Sequence, residues 1–216
     1  MKSKAIVSSM LTAAAVSVGL FMVGPSYAVT DAQFNEANQA FQRAGAGDKS
    51  AVSDAVDKFD QLLKSEPTNP ILVVYLGAAT SMQARTTILP WKKISFAEDG
   101  MALEDKALVM LTQDHDTQLQ NGVPISLSVR YVTANTFLSV PGFFNRGARG
   151  EKLLNEVLES PMFEKAPLHF QGGVWMRAAR FAQDQKRLGD AKKYLDLVIK
   201  ANAPQVDAAK VMMAAL

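Results

Sequence analysis

Residues 55–70 read AVDKFDQLLKSEPTNP, and the spacing within them decides the fold. Ala55, Val56, Phe59, Leu62 and Leu63 recur at intervals that gather them on one stripe of an α-helix. On a strand, where side chains alternate, the same residues would be split between both faces. Pro67 and Pro70 then stop the pattern. Proline lacks an amide donor and holds the preceding residue out of the helical region.

The same pattern recurs outward in both directions. Helices are expected over 31–44, 50–65, 71–87, 94–113, 125–138, about 150–159, 168–185, 190–201 and 206–216. Pro70, Pro124, Pro141, Pro161 and Pro204 stand at the starts or just past the ends of these blocks. No apolar–polar alternation is sustained, and neither Asn-Gly nor Asp-Gly is read as a hairpin, so no strand is expected. The reading is all-α: four helix pairs and a ninth helix. First helices begin near residues 31, 71, 125 and 168, a spacing of about 40–55 residues that falls in or just above the range of repeat architectures. Hairpins of this length cannot bury their apolar faces alone, and stacking them makes one continuous core.

Residues 1–28 read as a cleavable secretory leader. Lys2 and Lys4 precede an apolar run from Ala5 to Val23, Gly24-Pro25 breaks it, and the small residues Ser26 and Ala28 form a cleavage site. Export to the periplasm of a bacterial envelope, with cleavage after Ala28 and a domain over 29–216, is therefore expected. No cysteine occurs anywhere, which excludes disulfides, thiolate nucleophiles and cysteine-based metal sites. The 216-residue chain carries 23 basic and 21 acidic side chains; without Lys2 and Lys4 the balance becomes 21 against 21. A neutral chain has no general affinity for nucleic acid or anionic membrane.

Residues 55–70 also resemble the second helix of a tetratricopeptide repeat (TPR), with small Ala55, aromatic Phe59, apolar Leu62 and closing Pro67. RLGDAKKYLDLVIKANAP, residues 187–204, repeats the pattern with Ala191, Leu195, Val198 and Pro204. VYLGAAT, residues 74–80, resembles the Leu-Gly of a first helix at Leu76 and Gly77. The chain departs from that family in its irregular period, its missing first-helix tryptophan, and Glu104 or Lys106 where an aromatic is expected. What the resemblance implies is a TPR-like array of about four helix pairs with a C-terminal capping helix, and a concave groove lined by first helices. Aligning the family's small-residue position on Ala37, Gly77, Ala134 and Ala178 sends Asn38, Val74, Ser81, Arg85, Tyr131, Asn135, Trp175 and Gln183 into the groove. Asn38 and Asn135 fall at equivalent places and would hold a peptide backbone.

Other candidates are few. ILPWKKISFAEDG, residues 88–100, reads as a corner between helices, with Trp91 packed against it and Lys92 and Lys93 solvated at the next helix start. That is a poor electrostatic place for lysine, so Trp91, Lys92 and Lys93 are also partner-binding candidates. Arg146 and Arg149 precede a helix in a glycine-rich loop and could hold an anion there, or the loop is a plain connection with Phe143 and Phe144 tucked into the core. Asp114-His115-Asp116 reads as a solvated helix end rather than a metal site, and His169 has no second histidine near it in sequence. The final VMMAAL is a cap if Met212, Met213 and Leu216 pack inward, and a dimer contact otherwise.

No motif assigns a catalytic residue, metal or cofactor. The functional expectation is an exported scaffold or adaptor that binds a protein or peptide partner beside an envelope transport or secretion system. The alternative is an enzyme or small-molecule carrier whose pocket lies in the helical concavity, marked by buried Arg85, Arg130 or Arg177. The leader reading sets a direct expectation: chain recovered from the periplasm of a bacterial host should begin at Val29 by N-terminal sequencing. A product that keeps the apolar run would overturn it.

Overall fold

The computed structural model describes residues 29–216; the secretory leader read in residues 1–28 lies outside the described residues. Helix α1 (Asp31–Gly45) starts where Thr30 accepts the Gln33 amide and Gln33 returns the bond to the Thr30 amide, a reciprocal cap. After α2 (Ser50–Ser65), Asn69 accepts the Ile71 amide and Pro70 opens α3 (Pro70–Met82), at a position that has no donor to lose. The remaining helices are α4 (Pro90–Val109), α5 (Ile125–Phe137), α6 (Gly147–Leu158), α7 (Leu168–Asp184), α8 (Leu188–Lys200) and α9 (Val206–Ala214). The described residues are thus all-α, about 75% helical over nine α-helices. No helix among them is long and apolar enough to cross a membrane.

A hairpin and several helix bounds differ from expectation; α3 ends at Met82 and α4 at Val109, short of the expected 87 and 113. A two-residue antiparallel ladder pairs Leu119 with Pro124 and Gln120 with Val123. Asn121 and Gly122 between them have φ of 51° and 77°, the positive pair that an Asn-Gly turn of the primed type requires. The dipeptide was therefore a genuine hairpin signal. Its flanks are too short to show alternation, which is why no strand was expected. Helix α4 begins at Pro90, not at residue 94, so Trp91, Lys92 and Lys93 form its first turn and the corner lies before them. The Trp91 ring is 65% exposed rather than packed. Helix α6 likewise begins at Gly147, three residues early.

Consecutive helices pack in pairs, α1 on α2, α3 on α4, α5 on α6 and α7 on α8, with α9 closing on α8. Apolar clusters pass from one pair to the next: Phe34, Phe59, Leu72 and Val129 in the first, Met101, Phe137, Leu154 and Val174 in the second, Met176, Leu195 and Val198 in the third. Helix α3 is central and touches α1, α2, α4 and α5. From Ile71 to Ala79 every residue except Tyr75 is buried. A helix apolar all round belongs in the interior. Met212, Met213 and Leu216 of the C-terminal segment pack inward on the third cluster, as a cap requires.

The tightest approach in the fold is between α3 and α4. A Cβ on Gly77 would lie 2.7 Å from the Gly100 carbonyl oxygen, and one on Gly100 would lie 2.4 Å from the Gly77 oxygen and 2.6 Å from the Ser81 nitrogen. Only backbone fits. One turn on, Glu104 is completely buried, and neither carboxyl oxygen has a hydrogen-bond partner. Burial pushes its pKa well above the ordinary 4.5; nearby Thr136 and Arg146 oppose that shift, while Asp105 adds to it. Burial thus favours the protonated carboxyl in the fold.

Replacing helical glycine by alanine normally gains up to about 1 kcal/mol. Gly100→Ala should instead lower stability by about 2–3 kcal/mol in urea denaturation, because two of the three nearest atoms, the Gly77 oxygen and the Ser81 nitrogen, are backbone and cannot yield. Gly189→Ala, whose Cβ meets nothing within 4 Å, should be neutral or gain about 0.5 kcal/mol.

Glu104 sets a second expectation. Its folded pKa is raised, so its proton stabilises the fold fully below about pH 4.5 and the contribution is lost as pH rises toward the folded value. The slope is up to about 1.4 kcal/mol per pH unit. Melting from pH 5 to 8 should show this fall in the parent and a flatter profile in Glu104→Gln. Equal slopes would show that Glu104 does not carry it.

Candidate functional site

Helices α1, α3, α4, α5 and α7 converge around a concavity of about 1030 Å³. Its floor is apolar and buried, formed by Phe34, Ile71, Ala78, Ala97, Val123 and Val132. Above the floor, Phe41 meets Tyr75 edge-on at 5.0 Å, and Tyr131 meets Phe170 edge-on at 5.3 Å. These T-shaped contacts fix the rings against each other.

The periodicity of each helix delivers the polar side chains. On α1, Asn38 lies one turn from Phe34 and Phe41 and so reaches the same face; on α5, Asn135 follows Tyr131 by one turn. Beyond α3, a 3-10 turn over Gln83–Arg85 carries Arg85 to the rim, and the first turn of α4 adds Lys93 and Ile94. On α7, Arg177 and Arg180 share a face at three-residue spacing. The hairpin adds Gln120 and Asn121, which are tied to α1 through Asp31 and Asn35 respectively.

Tyr131 and Arg177 form the most constrained part. A Cβ at Gly173 would lie 3.3 Å from the Tyr131 hydroxyl, so the glycine leaves that oxygen its space. Burial raises the Tyr131 pKa, opposed by hydrogen bonding with Asn135 and by the charges of Arg177 and Arg180. Burial also lowers the Arg177 pKa, yet a guanidinium stays charged at any ordinary pH. Its Nη2 is 3.5 Å from the Ser139 hydroxyl, and its buried Nε has no partner.

Of the expected groove residues, Asn38, Ser81, Arg85, Tyr131 and Asn135 line this concavity, and so does Lys93 from the corner. Val74 does not; it is fully buried in the first cluster. Trp175 packs edge-on against Phe163 at 5.8 Å, within the helix core instead of the groove. Trp91 and Lys92 are exposed outside the lining, and Gln183 is absent from it. Arg146 and Arg149 reach Asp105 at 3.0 and 2.7 Å and lie over the Phe137 ring at 4.9 and 5.6 Å. The anion in front of them is an internal carboxylate. Of the three arginines expected to mark a small-molecule pocket, Arg130 faces Glu156 at 3.4 Å outside the lining, whereas Arg85 and Arg177 line the concavity.

Several lining residues escaped the sequence reading. Phe143 stands at the rim, 65% exposed and not tucked into the core, whereas Phe144 also lines the concavity but is half-buried against the second apolar cluster. Gln120 and Asn121 could have been found from Asn-Gly, but Arg180, Phe170 and His169 carry no local signal. The other histidine, His115, accepts the Thr112 amide at Nδ1 over 2.9 Å. Among the described residues no group of three or more His, Cys, Asp and Glu side chains is placed to share a metal ion. No family model matches the chain, and neither curated proteins nor solved structures provide a match.

Proposed function

We propose that the chain is an exported, TPR-like scaffold or adaptor that binds a protein or peptide partner in its concave groove, as an accessory to an envelope transport or secretion system. The observation that carries this reading is the shared concavity itself. Asn38 on α1, Ser81 and Arg85 at and beyond the end of α3, and Tyr131 and Asn135 on α5 were grouped only by the repeat alignment, and these five of its eight residues line it. Export is supported by the leader pattern in residues 1–28. The repeat reading draws support from sequential helix pairs and from a core handed from pair to pair.

Peptide is favoured over a small molecule by size and by chemistry. The volume of about 1030 Å³ is at or beyond the upper end for single-ligand pockets, near 1,000 Å³. Its carboxamides are distributed over α1, the hairpin and α5, which suits an extended backbone with many donors and acceptors. The apolar floor, with the aromatic rings above it, is the one feature that favours the second reading, a carrier for an apolar small molecule.

A photo-crosslinking residue at Asn38 should capture a defined protein in the exporting cell, whereas one at exposed Lys152 on α6 should not. Asn135→Ala in the same chain should weaken that capture about tenfold, as loss of a buried polar contact does. A co-purifying small molecule, with no protein captured at Asn38, would overturn the adaptor reading.

A further inference from the structure

The described residues contain eight arginines, and ion pairing divides them by place. Arg43, Arg130, Arg146, Arg149 and Arg187 each meet a carboxylate at 3.4 Å or less, and none lines the concavity. Arg85, Arg177 and Arg180 do line it, and among the described residues none of them meets a carboxylate within 4.0 Å. Lys93 joins them, also without an ion pair, and no Asp or Glu contributes to the lining. The basic and acidic residues after the leader balance 21 to 21, so a surplus of base does not explain this segregation. Four cations around one low-dielectric concavity repel one another and focus a positive field into it.

Arg177 is the most committed of the four. It is half-buried, and among the described residues its Nε lacks an acceptor and the Ser139 hydroxyl at 3.5 Å is its only side-chain hydrogen-bond partner. Asp184, further along α7, acts on it electrostatically but remains outside ion-pair distance. The same concavity exposes apolar surface: Phe143 and Phe144 lie with ring centroids 4.3 Å apart, and Ile94 is 41% exposed.

We infer that the groove takes an acidic peptide segment bearing a large apolar side chain, with side-chain carboxylates on Arg177, Arg180 and Arg85 and the apolar group against Phe143 and Phe144. The inference rests on the adaptor reading and adds the chemistry of the partner. Guanidinium and carboxylate match as planar, bidentate partners. The cations come from three separate elements, the turn after α3, α4 and α7. A chain with several carboxylates can meet them all, whereas an amphiphile has a single charged head. Nucleic acid would want a series of open ring faces on which successive bases stack; here Phe41, Tyr75, Tyr131 and Phe170 meet other rings edge-on, and among the described lining residues Phe143 is the one exposed Phe or Tyr.

Isothermal titration calorimetry of the full chain, as recovered from the exporting cell, tests this with end-blocked dodecapeptides. One alternates glutamate with phenylalanine and leucine; a second has glutamine for glutamate. The glutamate peptide should bind, the glutamine peptide about tenfold more weakly, and raising NaCl from about 0.05 to 0.5 M should weaken the first much more than the second. Arg177→Gln with Arg180→Gln should also cost about tenfold, and Arg43→Gln, an ion-paired site outside the concavity, should change nothing. If the double variant melts early, the exposed Arg85→Gln and the salt series decide. Equal affinity for both peptides would overturn the inference and leave the adaptor reading standing. Binding of dodecanoate or oligothymidylate with no binding of either peptide would overturn both.

Discussion

Two helix backbones touch at Gly77 and Gly100, and the rest of the molecule is arranged around that contact. Glycine in a helix costs about 1 kcal/mol relative to alanine, and here two are spent on one crossing. The return is the burial of α3. Each apolar side chain fully removed from water contributes about 1.5–3 kcal/mol, and Ile71, Leu72, Val73, Val74 and Leu76 are all buried. With α4 held this close, Ser81 and Arg85 beyond the crossing face the same space as Lys93, Ile94 and Ala97. The groove's α3–α4 wall is a consequence of two missing side chains.

Neighbouring charges on α4 show how environment outweighs residue type. Glu104 is completely buried and its pKa is pushed well above the ordinary value, while adjacent Asp105 reaches the surface enough to hold both Arg146 and Arg149. The glycine-rich loop before α6 therefore already has its counter-ion. The arginines that lack one are elsewhere, around the concavity. An arginine's sequence neighbours do not reveal which kind it is; only the opposite wall does.

Much of the helical plan was legible in the chain. The stripe of Ala55, Phe59 and Leu62 and the placement of Pro70, Pro124 and Pro204 foretell helices whose bounds lie close to those observed. Asn38, Tyr131 and Asn135 were also legible as groove residues, since helical periodicity carries a residue's facing over several turns once one position is set. Trp175 and Val74 failed because the register was taken from a small-residue position. In this fold their side chains face the core. Pro90 lies in the stretch read as a corner, yet it opens α4, an ambiguity inherent in a residue suited both to ending and to starting a helix.

The sequence by itself determined the helices, their pairing in order, the absence of disulfides and the overall charge balance. These depend on local spacing and composition, which need no knowledge of distant neighbours. The tertiary structure alone decided that α3 is the central helix, that burial raises the Glu104 pKa, and that Arg85, Arg177 and Arg180 share one concavity without an acid. The reason is physical: burial, desolvation and ion pairing are set by what lies across a packed interface, and the residues that meet there are distant along the chain.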